Sequence, residues 1–134
     1  MAIQSFINQK TFIPADVLSL TGPEVLARAR RFHSTIPGYQ PTPLVFLDHL
    51  ARRLGISSLL VKDESHRFGL NAFKSLGGSF AIARTLAKKL GWPEDEVTFD
   101  ALMSPEVKAK LGTLTFVTAT DGNHGRGVAW AARL

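Results

Sequence analysis

Two short runs concentrate the residue types that do chemistry. The first is Asn71-Ala72-Phe73-Lys74-Ser75-Leu76-Gly77-Gly78-Ser79-Phe80. With Asn71 as the predicted N-cap, Lys74 falls in the first turn of a helix. The positive end of the helix dipole disfavours a cation there. Burial between Phe73 and the Gly77-Gly78 surface would disfavour the ammonium further. Such a lysine is a nucleophilic amine, suited to forming a Schiff base with an aldehyde. Two adjacent glycines cost about 1 kcal/mol each inside a helix relative to alanine. A flat group approaching the backbone would justify them. So would a close helix-helix crossing beside an ordinary surface lysine, and the segment alone leaves both readings open.

The second run is Thr118-Ala119-Thr120-Asp121-Gly122-Asn123-His124-Gly125-Arg126-Gly127. It lies between a predicted strand and a predicted helix, the usual place for a ligand in an α/β protein. Its glycines permit positive φ and close backbone approach, and amides at a helix start can accept an anion. Asp121, Asn123 and His124 bring polar groups to the same mouth. The glycine order, G-x-x-G-x-G, is neither the dinucleotide fingerprint nor a phosphate-binding P-loop. A plain strand-to-helix turn remains the alternative. His124 has no second ligand at metal-binding spacing, and His33, His49 and His66 are isolated, so no metal site is predicted. Ser75 and Ser79 have no histidine and aspartate in an order that suggests acyl transfer.

The elements that must position these runs follow from periodicity and punctuation. Residues 1 to 22 read as an irregular arm with apolar anchors Phe6, Ile7, Phe12 and Ile13. Pro23 opens a helix that runs to about Phe32 and stops before Pro37-Gly38. Gln40-Pro41-Thr42-Pro43 is extended, because a residue before proline leaves the α region. Apolar residues at 44, 47, 50, 51 and 54 predict a helix over Leu44–Leu54, closed by Gly55. Ser58 to Val61 reads as a buried strand, and Lys62 to Leu70 as a polar loop. The helix after Asn71 carries Leu76, Phe80, Ala83, Ala87 and Leu90 on one stripe and ends at Gly91. Short helical pieces follow around Phe99–Met103 and Pro105–Leu111. Leu114 to Ala119 is a second predicted buried strand, Gly122 to Gly127 a turn, and Val128 to Leu134 a last helix. Strands alternating with helices predict an α/β fold with a parallel sheet. Two strands are too few for a covered parallel sheet, and the last helix has no stop signal, which predicts a fragment of a larger enzyme.

Composition narrows the classes. With 45% hydrophobic and 20% charged residues, the chain is globular in character. The absence of cysteine excludes disulfides and thiolate metal sites, and it suits a reducing, cytoplasmic setting. The formal charge of +5 is spread along the chain, without a nucleic-acid-binding pattern. Met1 to Lys10 lacks the form of a secretory signal, and no window is apolar enough to span a membrane. Neither a nucleic acid nor a membrane is expected as a partner.

Together the two runs resemble fold type II pyridoxal-phosphate (PLP) enzymes, the group of tryptophan synthase β and threonine dehydratase. The order Lys62-Asp63-Glu64, then Asn71-Ala72-Phe73-Lys74, then the glycine turn fits that group, as does Thr42-Pro43-Leu44. Within it, the stretches Lys62 to Lys74 and Thr118 to Trp130 look like those of the diaminopropionate ammonia-lyases. Asp121 is the discriminating residue, standing where dehydratases have serine. The resemblance implies pyridoxal phosphate as cofactor and Lys74 as its Schiff-base lysine. It implies that Asn123 hydrogen-bonds the ring's 3-oxygen, with Phe73, Gly122 and His124 also at the cofactor. Asp121 would be the base that takes the α-proton from D-2,3-diaminopropionate. The implied reaction is α,β-elimination to pyruvate and ammonia, on a small amino-acid substrate, in a homodimeric parent enzyme. Residues 1 to about 91 would belong to the cofactor-lysine domain, and about 112–134 would start the smaller one. The L-isomer base, the phosphate loop and the partner of the pyridine nitrogen would lie beyond residue 134. A serine or threonine dehydratase is the alternative within the class. An inactive fragment serving as an interaction module is the alternative outside it.

Overall fold

The computed structural model describes residues 21–120 and 122–134, together with Ala15 and Val17. The arm anchors Phe6, Ile7, Phe12 and Ile13 lie outside the described residues, as does Asp121.

Helix α1 spans Pro23–Ser34, with proline in its first turn as expected. Strand β1 is Leu44–Phe46, helix α2 is Asp48–Leu54, and strand β2 is Leu60–Lys62. A 3₁₀ turn over Glu64–Gly69 leads into α3, Lys74–Leu90. After a 3₁₀ turn at Glu94–Glu96 come α4, Phe99–Leu102, and α5, Pro105–Leu111. The last helix, α6, is Asn123–Arg133. Gly55 and Gly91 close α2 and α3 in the left-handed region, where glycine carries no Cβ penalty. Thr98 and Ser104 cap the two short helices through their hydroxyls, accepting from the Ala101 and Val107 amides.

Helix α3 is the spine. Its Ala83, Ala87 and Leu90 form one buried cluster with Phe32, Ile36, Val97, Leu102 and Val107. The two alanines leave room for neighbours to approach closely. Helix α6 packs on the start of the same helix, at right places for Gly78 to meet Val128.

Several expectations need correction. Leu44 to Phe46 is a strand, and only Asp48–Leu54 is helical. The apolar spacing over 44–54 mimics a helix, but Leu44, Leu50 and Leu54 are exposed and of that stripe only Ala51 is buried. Ladder bonds to the second strand decide the first three residues, with Val45 opposite Val61. The described pair is antiparallel, not parallel. The link through α2 returns the chain to the end it left, Phe46 facing Leu60, so β2 must run back. That strand starts two residues later and ends one residue later than the predicted Ser58–Val61, and its residues are exposed rather than buried. Leu114 to Ala119 is extended, with residues 114, 116 and 118 half-buried and 115, 117 and 119 exposed. That is strand-like alternation, but no neighbouring strand bonds it among the described residues. Helix α6 begins at Asn123, five residues before the predicted start, with Gly122 at its N-cap at φ 147°.

Candidate active site

The chain reaches Lys74 through a tightly constrained turn. Phe68 and Asn71 have φ of 49° and 55°, the only positive values at non-glycine positions among the described residues, and Gly69 between them has 69°. Asn71 tolerates this region better than most residues. It is therefore a turn residue, and Phe73, not Asn71, occupies the N-cap of α3. Lys74 is the first residue of that helix. Its side chain is exposed, not buried as expected, and its Nζ lies 4.8 Å from the centroid of the Phe73 ring. Phe73 is itself 54% exposed. Among the described residues no carboxylate forms an ion pair with Lys74, so its amine is open to a carbonyl from outside.

The second run meets the first through glycine. A Cβ on Gly127 would lie 2.9 Å from the Ser75 amide nitrogen and 3.0 Å from the Lys74 carbonyl carbon. Only a residue without a side chain can sit there. Gly78 is the counterpart on α3, with Val128 about a van der Waals contact away at 3.4 Å. Gly77 faces open space. The two readings of the glycine pair thus divide, Gly78 serving the helix crossing and Gly77 leaving a bare surface one turn from Lys74. Two further ties hold α6 to the turn before Lys74. Phe68 stacks on Trp130 with ring centroids 4.5 Å apart, and Arg126 Nη1 donates to the Leu70 carbonyl at 3.2 Å.

Thr120 organises the start of α6. Its Oγ1 accepts from the Gly122 amide at 3.2 Å and the Gly125 amide at 2.6 Å, satisfying donors that the helix cannot. Gly122, Asn123 and His124 are exposed. Asn123 precedes Gly127 by four residues and so shares the face of α6 that meets α3. The structure therefore brings the backbone of Lys74 and Ser75 against Gly127 of α6, and leaves Gly77 facing open space. No cluster of three metal-ligating side chains occurs among the described residues.

Ser75 presents an unusual state. It is 1% exposed, and its Oγ has no hydrogen-bond partner among the described residues. His33 is buried among Phe32, Tyr39 and Phe80, where its Nε2–H donates to the Leu76 carbonyl at 2.9 Å. Burial holds this imidazole below its ordinary pKa.

Sequence reasoning missed Arg67, which it left in a polar loop. Its guanidinium is almost fully buried. Nε donates to Glu64 Oε2 at 2.8 Å and Nη2 to Glu64 Oε1 at 3.0 Å, a two-pronged clasp. Nη1 donates to the Gln40 carbonyl at 2.8 Å, Nη2 reaches Thr42 Oγ1 at 3.3 Å, and the group lies 5.2 Å over the Tyr39 ring. Glu64 also accepts from the Thr42 hydroxyl, and Lys62 donates to the Thr42 carbonyl. Hydrogen bonds from Arg67 hold the Glu64 carboxyl below the usual carboxylate range, and Glu64 raises Arg67 in turn. The only local signal was the i, i+3 spacing of Glu64 and Arg67, because the Gln40 and Thr42 partners lie 27 and 25 residues away.

Two cavities border this region. An apolar one of about 340 Å³ is lined by Phe32, Leu86, Phe99, Leu102 and Phe116 among others. The other, about 530 Å³, lies between residues 37–43, His66, Phe68 and Trp130. Neither is lined by Lys74, Gly122, Asn123 or His124, all four of which are exposed.

The site thus consists of a lysine at a helix start and a glycine-rich run on the helix packed against it. A profile for pyridoxal-phosphate dependent enzymes matches residues 35–134, and the chain belongs to that family. The diaminopropionate ammonia-lyase of Salmonella typhimurium is 58% identical over 111 residues, covering 83% of this chain and 26% of the relative. The crystal structure of the apo diaminopropionate ammonia lyase of Escherichia coli matches with a TM-score of 0.75 and 51% identity, over 85% of this chain and 30% of that one. The same enzyme in complex with an aminoacrylate-PLP azomethine reaction intermediate matches with a TM-score of 0.72 and 49% identity, over 85% of this chain and 27% of that one. The expected fold type II, α/β class agrees with these neighbours. The chain spans about a quarter of the length of the curated relative it matches. Among the described residues no helix is long and apolar enough to cross a membrane.

Proposed function

We propose that this chain supplies the cofactor-lysine part of a PLP-dependent ammonia-lyase that acts on 2,3-diaminopropionate. The observation that carries the reading is the backbone contact of Gly127 with Lys74 and Ser75, which places the glycine turn of the second run against the lysine of the first. The donor set fits the cofactor. An exposed primary amine matches an aldehyde, the Asn123 amide matches a ring oxygen, and the bare surface of Gly77 admits a flat ring. When bound, pyridoxal phosphate supplies the electron sink for charge developing at the substrate α-carbon.

The chain's own residues then have distinct tasks. Lys74 holds the cofactor covalently through Nζ. Asn123 would hold the ring through its 3-oxygen, with Phe73, Gly122 and His124 as the further cofactor-binding residues. Asp121 accepts the α-proton of the D-isomer, a role a carboxylate beside the α-carbon can perform. The β-amino group leaves as one ammonia, and water hydrolyses the imine tautomer of the remaining product, so that the α-nitrogen leaves as a second ammonia and pyruvate remains. The similar Escherichia coli and Salmonella enzymes, named for this activity, support the substrate choice. Residues 1 to about 91 form part of the cofactor-lysine domain in this reading, and about 112–134 begin the smaller domain. The cysteine-free composition supports a cytoplasmic setting, and the family resemblance a homodimer.

The test is to add pyridoxal phosphate, record the yellow absorbance of lysine-bound cofactor, reduce with borohydride and map the labelled peptide. The label is expected on Lys74 and absent from Lys74→Ala. Label confined to another lysine refutes the assignment. Turnover of serine without turnover of diaminopropionate, by the protein that contains this chain, refutes the substrate.

A further inference from the structure

The turn from Asp63 to Phe73 is fastened at two places, and both bear on Lys74. Three of its residues, Phe68, Gly69 and Asn71, sit in the left-handed region within four positions. A non-glycine residue persists there only when its surroundings over-determine it, and such strain gathers at functional sites. On one side the fastener is Arg67. Buried, and bonded to Glu64, Gln40 and Thr42, it pins the turn to the extended segment before β1. On the other side Phe68 stacks on Trp130, and Leu70 accepts from Arg126, so the turn is pinned to α6. Helix α6 also carries Asn123 at its start and touches the Lys74 backbone at Gly127. Lys74 thus follows, four residues on, a segment that is gripped from both directions.

We propose that Arg67 and Phe68 are positioning residues, whose clasp on the turn sets the place of the Lys74 amine relative to the start of α6. This rests on the reading of Lys74 as the cofactor lysine. Neither residue acts on the cofactor directly. Arg67 is suited to the task because its planar fork engages both Glu64 oxygens at once while its face lies on Tyr39, a combination lysine cannot reproduce.

The experiment compares the full chain with Arg67→Met, Arg67→Lys and Phe68→Leu. Each is incubated with pyridoxal phosphate well below its melting temperature and reduced with borohydride. The ratio of label on Lys74 to label on Lys88, an exposed lysine at the far end of α3, is measured by peptide mass. The native chain is expected to favour Lys74. The variants should keep the native circular dichroism while the ratio falls about tenfold, as a displaced reacting group loses rate steeply. A merely structural role would lower the melting temperature and leave the ratio unchanged, and that result overturns the proposal. If Arg67→Met does not fold, Arg67→Lys and Phe68→Leu decide. A native chain with no preference for Lys74 overturns the cofactor reading itself, a separate outcome that removes the positioning role with it.

Discussion

Replacing Gly127 by alanine tests the contact on which the site depends. The new Cβ would stand 2.9 Å from the Ser75 nitrogen, 3.0 Å from the Lys74 carbonyl carbon and 3.1 Å from the Ser75 Cα. All three are backbone atoms in the first turn of α3, and none can rotate away. The helices must therefore move apart by several tenths of an ångström. Overpacking of this kind costs about 1–3 kcal/mol, and rigid backbone neighbours place it near the upper end. Against this, alanine gains about 1 kcal/mol over glycine inside a helix. The net loss is about 2 kcal/mol, which for a chain of this size lowers the melting temperature by roughly 7 °C. Gly77→Ala is the control. It gains the same propensity term and meets nothing within 4 Å, so it should raise the melting temperature by about 2–4 °C. The same methyl would cover the bare surface one turn from Lys74, so cofactor trapping there should fall as stability rises. Thermal melts followed by circular dichroism give both numbers. A Gly127→Ala chain as stable as the native one would refute the close crossing and the placement of the glycine turn beside Lys74.

Three further outcomes follow from other groups. Ser75→Ala removes a buried hydroxyl with no partner among the described residues, and should stabilise the chain by about 1 kcal/mol in denaturant titration. A loss instead would reveal a bond to a group outside those residues. Thr120→Val removes the acceptor for the Gly122 and Gly125 amides and should cost about 1 kcal/mol in the same titration. It should also loosen the start of α6 in hydrogen exchange. His33 gives a pH dependence of definite sign. Its folded pKa lies below the ordinary 6.5 because burial penalises the cation. As the pH falls through 6.5, the unfolded chain takes up a proton that the folded chain resists. Stability present above 6.5 is therefore lost on acidification towards the folded value. Melts from about pH 8 to about pH 5 should show a steeper acid loss for the native chain than for His33→Gln, and equal slopes would contradict the assignment.

The parts of the fold legible in the sequence are those whose cause is local. Pro23 starts α1, Gly55 and Gly91 end α2 and α3, and Thr98 and Ser104 precede α4 and α5 as capping residues should. The parts misread are those settled by distant partners. Leu44 to Phe46 has helical apolar spacing, yet pairing with Leu60 to Lys62 makes it a strand, and no local rule fixes the direction of that pair. Leu114 to Ala119 has the composition and the alternation of a strand and lacks only a neighbour among the described residues. Arg67 was invisible for the same reason. Its importance comes from Gln40, Thr42 and Tyr39, about 25 residues away in sequence.

The candidate site shows the same division within a single residue pair. Gly77 and Gly78 are both costly inside a helix, and either a flat ligand or a close helix crossing could justify the pair. The structure gives each glycine its own reason. Gly78, with Gly127, lets α6 approach α3 closely, which is a packing requirement. Gly77 touches nothing and stays bare beside Lys74, which packing does not require. The packing glycines create the proximity, bringing α6 at Gly127 against the start of α3 at Lys74 and Ser75. The bare glycine leaves space in that proximity for a flat ligand. Neither condition alone distinguishes a cofactor lysine from a surface lysine beside a helix crossing. Both met within four residues of Lys74 are what a ring bound covalently at that amine would require.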